Sequence, residues 1–326
     1  MVDGLCSARD WDGVVLLRDR CRHALEERGL QLWPAAEYAE YRLALEAPPE
    51  FAGPVVVEGA GRFALGPLWE VAASSHTWAA LAPHVPDGPA RTMAAHERVL
   101  RGEDLSADGS VDPHLLEVPL RLEPWEAPCP PAVYRSDTAD FPTPPLPRFR
   151  AVTAGSPGEP IEDEESLEAL LDLGRVWAEQ SNGSRRAAAV EGDGMAAIAA
   201  LGDDRVLASP LTGPEALAWM AWAGASGGAY GRRRGGPSGR FAAWWAAAAL
   251  AGLDWPVEPG RLAAAVRAIE WTLWFPPDAP AGWGLHLAAA LPTEGVAWAV
   301  SAADSHRDDD PLAADHPGPI PDTLAP

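Results

Sequence analysis

Through the first hundred positions, apolar residues recur three and four apart, the spacing that turns one face of a helix towards a core. Trp11, Val14, Leu17, Cys21 and Leu25 make one such stripe, with Asp10 placed to cap its start and Gly29 to end it. A second helix is predicted from Pro34 to Glu46 on Tyr38, Tyr41 and Leu45, stopped by Pro48 and Pro49. Pro67 stands at the favoured first turn of a third, lined by Leu68, Val71, Ala72, Ser75 and Ala79. Ala90–Arg101 gives a fourth. Val55–Glu58 is a β-branched run that reads as a short strand or as a loop packed on these helices.

The periodicity then fades. Asp108 to Ser156 is proline-rich, with one alternating stretch, Leu115–Leu122, that reads as a strand. Helical spacing returns from Ile161 to about Gln180 on Leu167, Leu170, Leu171 and Gly174. Arg186–Glu191 and Arg205–Ser209 read as strands, and Met195–Leu201 as a short helix or a further strand. Thr212-Gly213-Pro214-Glu215 forms a capping box ahead of a helix at 216–224. Ser238 is placed to cap a helix at 239–251 carrying Phe241, Trp244 and Trp245, with Trp245 expected in the core. Leu262, Val266, Ile269 and Leu273 give another helix after Pro259. Trp283–Leu291 and Gly295–Ala302 are apolar runs joined by Pro292-Thr293-Glu294, the pattern of a hairpin.

These elements predict an α+β fold, mostly helical. A helical domain covers 1–107 and a proline-rich connector 108–160. A tryptophan-rich domain with a small sheet ending in the hairpin covers 161–304. The tail 305–326 carries too little apolar surface to form a core and is expected to be disordered.

Composition narrows the function classes. The chain has 326 residues and a formal net charge of -22, which argues against general binding of nucleic acid or anionic membranes. No apolar run reaches the length of a transmembrane helix, and the N-terminus shows no signal-peptide pattern. Cys6, Cys21 and Cys129 are too scattered for a disulfide framework. A cytoplasmic protein is expected. His96-Glu97 begins like a zinc motif, but Leu100 stands where the second histidine belongs, so no metal site is expected.

Against this acidic background, Ser226–Leu250 gathers six glycines around Arg232, Arg233, Arg234 and Arg240. A glycine loop leading into a helix start is a ready anion site, and guanidinium groups suit phosphate and carboxylate. Arg232, Arg234, Ser238, Gly239 and Arg240 are therefore the candidate anion-binding residues, with Trp244 and Trp283 as candidate pocket lining. The alternative is that these arginines pair with some of the chain's 47 acidic side chains.

Arg234-Gly235-Gly236-Pro237-Ser238-Gly239-Arg240 loosely resembles the pyrophosphate-binding turn of GNAT-type acetyltransferases, although Pro237 and Ser238 stand where that family has glycine or alanine. The longer pattern, GRRRG followed by GRFAAWW and the paired-strand ending, resembles proteins of high-GC actinobacteria that carry a domain of unknown function. That resemblance covers most of 160–305 and implies no activity and no catalytic residues.

Two functions remain. One is a binding or regulatory protein whose helical first domain recognises a protein partner and whose second domain takes an anionic small molecule or acidic segment through the arginine loop. The other is an enzyme on an anionic or nucleotide-like substrate, such as a CoA-dependent acyltransferase, with Glu191, Asp193 or Asp304 as acid–base groups. The cofactor is unknown.

Overall fold

The computed structural model describes residues 1–127, 129–279, 281–307 and 320. Most of the expected tail, 308–319 and 321–326, lies outside the described residues. The chain divides into two compact units.

The first unit comprises Met1–Leu122, Pro131–Phe141 and Gly235–Pro237. Its helices are α1 (Val2–Ser7), α2 (Trp11–Arg28), α3 (Trp33–Glu46), α4 (Pro49–Ala52), α5 (Leu68–Ser75), α6 (Trp78–Leu81) and α7 (Pro89–Leu100). Val14, Leu43, Val71, Leu81, Ala94 and Val99 sit together in one core. Of the expected stripe on α2, Val14 and Cys21 are buried, and the side chain of Leu25 lies outside the described residues. The third helix ends earlier than its stripe, because His76 and Thr77 are both extended and separate α5 from α6.

Val55–Glu58 takes the second of its two readings, a loop packed on the helices: Val55 closes a 3-10 turn, and Val55 and Val56 are buried in the helical core. The strand expected at Leu115–Leu122 does not form. That stretch is irregular, a turn followed by bends, and follows a segment where aspartates fold the backbone locally. Asp104, Asp108 and Asp112 accept the N–H groups of Ser106, Ser110 and His114, two residues on. Such side-chain bonds compete with strand ladders. The small sheet here is instead a hairpin of β1 (Val133–Tyr134) and β2 (Ala139–Asp140).

The second unit comprises Glu123–Pro130, Pro142–Arg234 and Ser238–Pro326. The stretch expected as a connector is thus shared between the two units. In order, the unit holds β3 (Arg150–Thr153), α8 (Glu164–Asp172), α9 (Arg175–Gln180), β4 (Ser184–Glu191), α10 (Gly194–Ala200), β5 (Arg205–Leu211), α11 (Gly213–Ala225), α12 (Gly236–Leu250) from Ser238 onward, α13 (Pro259–Ala268), β6 (Glu270–Phe275), β7 (Trp283–Leu291) and β8 (Val296–Asp304). The six strands form one antiparallel sheet in the order β3-β5-β6-β7-β8-β4. Helix outweighs strand in the chain, as expected, but this unit is built on its sheet.

Side chains alternate across a strand, so the register sorts the two faces. Ala288, Ala290, Ala297, Ala299 and Val190 share one face with α10. Their small side chains let the helix approach closely: a Cβ on Gly194 would lie 3.5 Å from the Ala288 Cβ. The opposite face carries α8, α9 and α11, where Gly174 sits against Ala302. That glycine also marks the break between α8 and α9, which the hydrophobic stripe had merged into one helix.

Two further expectations are corrected. The stripe from Leu262 to Leu273 crosses a boundary, since α13 ends at Ala268 and Ile269 is already extended. Glu270–Phe275 is an interior strand, rich in the aromatic and β-branched residues that suit a pleated surface. In α12, Trp244 is the buried tryptophan and Trp245 is half-buried, stacked on Phe241.

Candidate functional site

The arginine loop was the first candidate. Helix α12 begins at Gly236, so Ser238 lies inside its first turn and its hydroxyl donates back to the Arg234 carbonyl at 3.1 Å. Within the first unit, the Gly236 N–H donates to the buried Glu70 carboxylate at 3.1 Å, and the Tyr134 hydroxyl donates to the same group at 2.7 Å. A carboxylate of the chain thus already occupies the positive end of the helix.

The remaining groups lie in the second unit. Arg240 is buried and makes a two-pronged pair with Glu126, at 2.8 and 2.7 Å. Trp244 Nε1 donates to that carboxylate at 2.9 Å, the guanidinium lies over the Trp244 ring at 5.3 Å, and Trp125 packs on the same ring with centroids 5.3 Å apart. Arg234 donates to Asp172 at 3.0 Å, and Asp172 also holds Arg175 at 3.0 Å. Arg232 is exposed, with its backbone N–H on Gln180. Gly239 serves packing: a Cβ there would run into the Ala221 carbonyl of α11. Gly228 takes a positive φ of 70° and lies against the Asp304 carboxylate.

Two of the three acid–base candidates have local duties, while Glu191, at the end of β4, is exposed. Asp193 caps α10 by accepting the Ala196 N–H at 2.9 Å. Asp304 accepts the N–H groups of Ala229 at 2.7 Å and Ser305 at 3.0 Å. Among the described residues, no group of three or more His, Cys, Asp or Glu side chains could hold a metal ion.

Trp283 leads to a different place. It lines a cavity of 370 Å³ with His286, Ser301, Arg186, Gly284 and Phe275. The sheet register explains this gathering. Ser301 on β8 is the direct partner of His286 on β7 and of Arg186 on β4, so imidazole, hydroxyl and guanidinium side chains form one row across three strands. The row continues the face that carries α10. Ile320 is buried at the same cavity and exchanges two backbone hydrogen bonds with Gly282, at 3.0 and 2.9 Å. This residue belongs to the tail that was expected to be disordered.

His286 is 4 % exposed and packs on Trp274 and Phe275, with ring centroids 4.9 and 5.0 Å away. Its Nδ1 is sealed from solvent with no hydrogen-bond partner. Burial, and then the nearby Arg186 charge, push its pKa down to about 3, so the ring is neutral. Arg186 donates to Asp203 at 2.7 Å and to the Leu201 carbonyl just after α10. A second, larger cleft of 710 Å³ lies beside Trp125 and Trp271. Two of its polar groups are partnered, Trp271 Nε1 donating to the Val266 carbonyl at 3.0 Å and Glu126 holding Arg240, and Arg267 and Glu270 are exposed.

Sequence reasoning did not single out His286, Ser301 or Glu126. A signal for the first two was present. Each is a polar residue inside an apolar run of the predicted hairpin, and the turn at 292–295 sets them opposite one another. Glu126 left no such trace, being 114 residues from its partner.

The chain belongs to the family of unknown function DUF6183, whose model matches residues 1–306. The likeness expected over 160–305 therefore extends to both units, and it brings no activity with it. No curated protein matches the chain, and no solved structure does. No described helix is long and apolar enough to cross a membrane.

Proposed function

We propose that this chain is a ligand-binding protein whose ligand occupies the cavity around His286. One observation carries the reading: a buried imidazole that makes no hydrogen bond within the described residues lines a partly open cavity, its Nε2 beside Gly284. A buried polar group is normally hydrogen-bonded, and one left unpaired calls for an explanation such as a ligand or a function. The volume of 370 Å³ is in the range of small-molecule pockets. The aromatic walls given by Trp283 and Phe275 also match such sites.

Binding is favoured over catalysis by the chemistry of the same ring. A general base works best with a pKa near the operating pH. His286, held down to about 3, is a poor proton acceptor and serves better as a hydrogen-bonding group. Asp193 and Asp304 are already engaged with backbone N–H groups. The arginine loop is left out of this reading because Arg234 and Arg240 are neutralised by Asp172 and Glu126.

The test is a small-molecule screen by thermal shift on the native chain and on Gly284→Ala. A Cβ at Gly284 would sit 3.5 Å from His286 Nε2 and 3.0 Å from Phe275, narrowing the cavity beside the imidazole while keeping the imidazole group. Ligands should raise the melting temperature of the native chain through linkage and fail to do so in the variant. Hits that stabilise both proteins equally would place binding elsewhere.

A further inference from the structure

The charges around the cavity restrict what it can hold. Around His286 a charged group finds no partner: burial and Arg186 keep the ring itself unprotonated, and its cross-strand neighbour Ser301 is uncharged. At the rim an anion fares no better. The Arg186 guanidinium is already paired with Asp203, and Asp278 and Asp304 also border the space. Burying a charge without an opposite partner is strongly unfavourable. An uncharged molecule meets neither penalty.

The imidazole then sets the polarity of the contact. A neutral ring carries one N–H and one bare nitrogen. Nδ1 is sealed and unpartnered, and a sealed N–H is rarer in folded proteins than an under-used lone pair. The proton therefore belongs on Nε2, beside the space that a Cβ on Gly284 would fill. That N–H is a donor, and a carbonyl oxygen is an uncharged acceptor for it. Ser301, the cross-strand neighbour of His286, can donate or accept. Trp283 and Phe275 offer aromatic surface to the rest of the molecule.

We infer that the ligand is an uncharged carbonyl compound with an aromatic body, its oxygen accepting a hydrogen bond from the His286 Nε2–H. This rests on the reading of the cavity as the ligand site, and the two fail differently in the following experiment. The full chain, labelled with ¹⁵N, is titrated with 2-naphthamide, 2-naphthoate and 2-naphthylmethylammonium, three probes that share a ring and differ in charge. The His286 ring nitrogens are followed by long-range ¹H–¹⁵N spectra and identified by their loss in His286→Gln. The free protein should show the proton on Nε2. The amide should move that resonance and bind at least tenfold tighter than the acid or the amine, and Gly284→Ala should weaken it at least tenfold. A proton on Nδ1 in the free protein would overturn the inference. So would tighter binding of the acid or amine, although loss of that binding in Gly284→Ala would leave the ligand site standing. If none of the three probes moves the His286 resonances, the carbonyl class is overturned. If the wider screen also gives no hit sensitive to Gly284→Ala, the ligand site falls with it.

Discussion

His286 couples the cavity to pH. In the unfolded chain an imidazole binds its proton near 6.5, whereas the folded ring takes one only near 3. Between these values the unfolded state holds more protons, so stability rises with pH. The contribution is complete above about 6.5 and is lost as the pH falls, at about 1.4 kcal/mol per pH unit. Urea melts of the native chain and of His286→Gln at pH 7, 6 and 5 isolate it. His76 and the carboxylates are common to both proteins, so they cancel in the difference. The native chain should lose about 1.4 kcal/mol more than the variant for each unit below 6.5. Parallel curves would show that the imidazole takes up its proton without leaving its place.

At the scale of elements, α12 and the segment Glu123–Pro130 depend on each other. Glu126 neutralises Arg240, accepts from Trp244 and brings Trp125 against the Trp244 ring. The two paired side chains are 4 % and 7 % exposed, and removing one partner of a buried pair leaves the other charge stranded. Glu126→Ala should therefore cost about 3–5 kcal/mol, read from urea melts. Glu126→Ala combined with Arg240→Met should recover part of the loss, because the stranded charge is gone. Millimolar phosphate should leave the native melting temperature unchanged. A rise with phosphate that disappears in Arg240→Ala would restore the arginine loop as an anion site.

On the scale of the whole molecule, the two units are not consecutive in sequence. The second takes Glu123–Pro130 from before a stretch, Pro131–Phe141, that belongs to the first. A cut after Phe141 consequently separates Arg240 and Trp244 from Glu126. A fragment of residues 123–326 should fold cooperatively, while 142–326 should melt lower or not at all. The stability difference should be about 3–5 kcal/mol, the size expected for the lost pair. Circular dichroism melts of the two fragments decide it, and equal midpoints would show that Glu123–Pro130 adds nothing to the second unit.

Much of the local structure was legible from sequence because its causes lie a few residues apart. Thr212 and Glu215 bond to each other across one turn, and the capping box they announce starts α11 as expected. The hairpin of β7 and β8 follows from two apolar runs and a short turn, and α2, α3 and α7 follow from their stripes. Periodicity misled where a stripe ran through a boundary. Leu273 keeps helical spacing with Val266 but belongs to β6, since pairing with β5 and β7 outweighs a local preference. The candidate site was the least legible part. The arginine cluster was plain in the sequence, yet its carboxylate partners lie 62 and 114 residues away. His286, Ser301 and Arg186 come from three strands, and only the ladder register sets them in one row. Short-range hydrogen bonding and alternation are written in neighbouring residues. The pairing of charges and the closing of a cavity depend on which distant segments burial brings together, and that was decided by the tertiary structure alone.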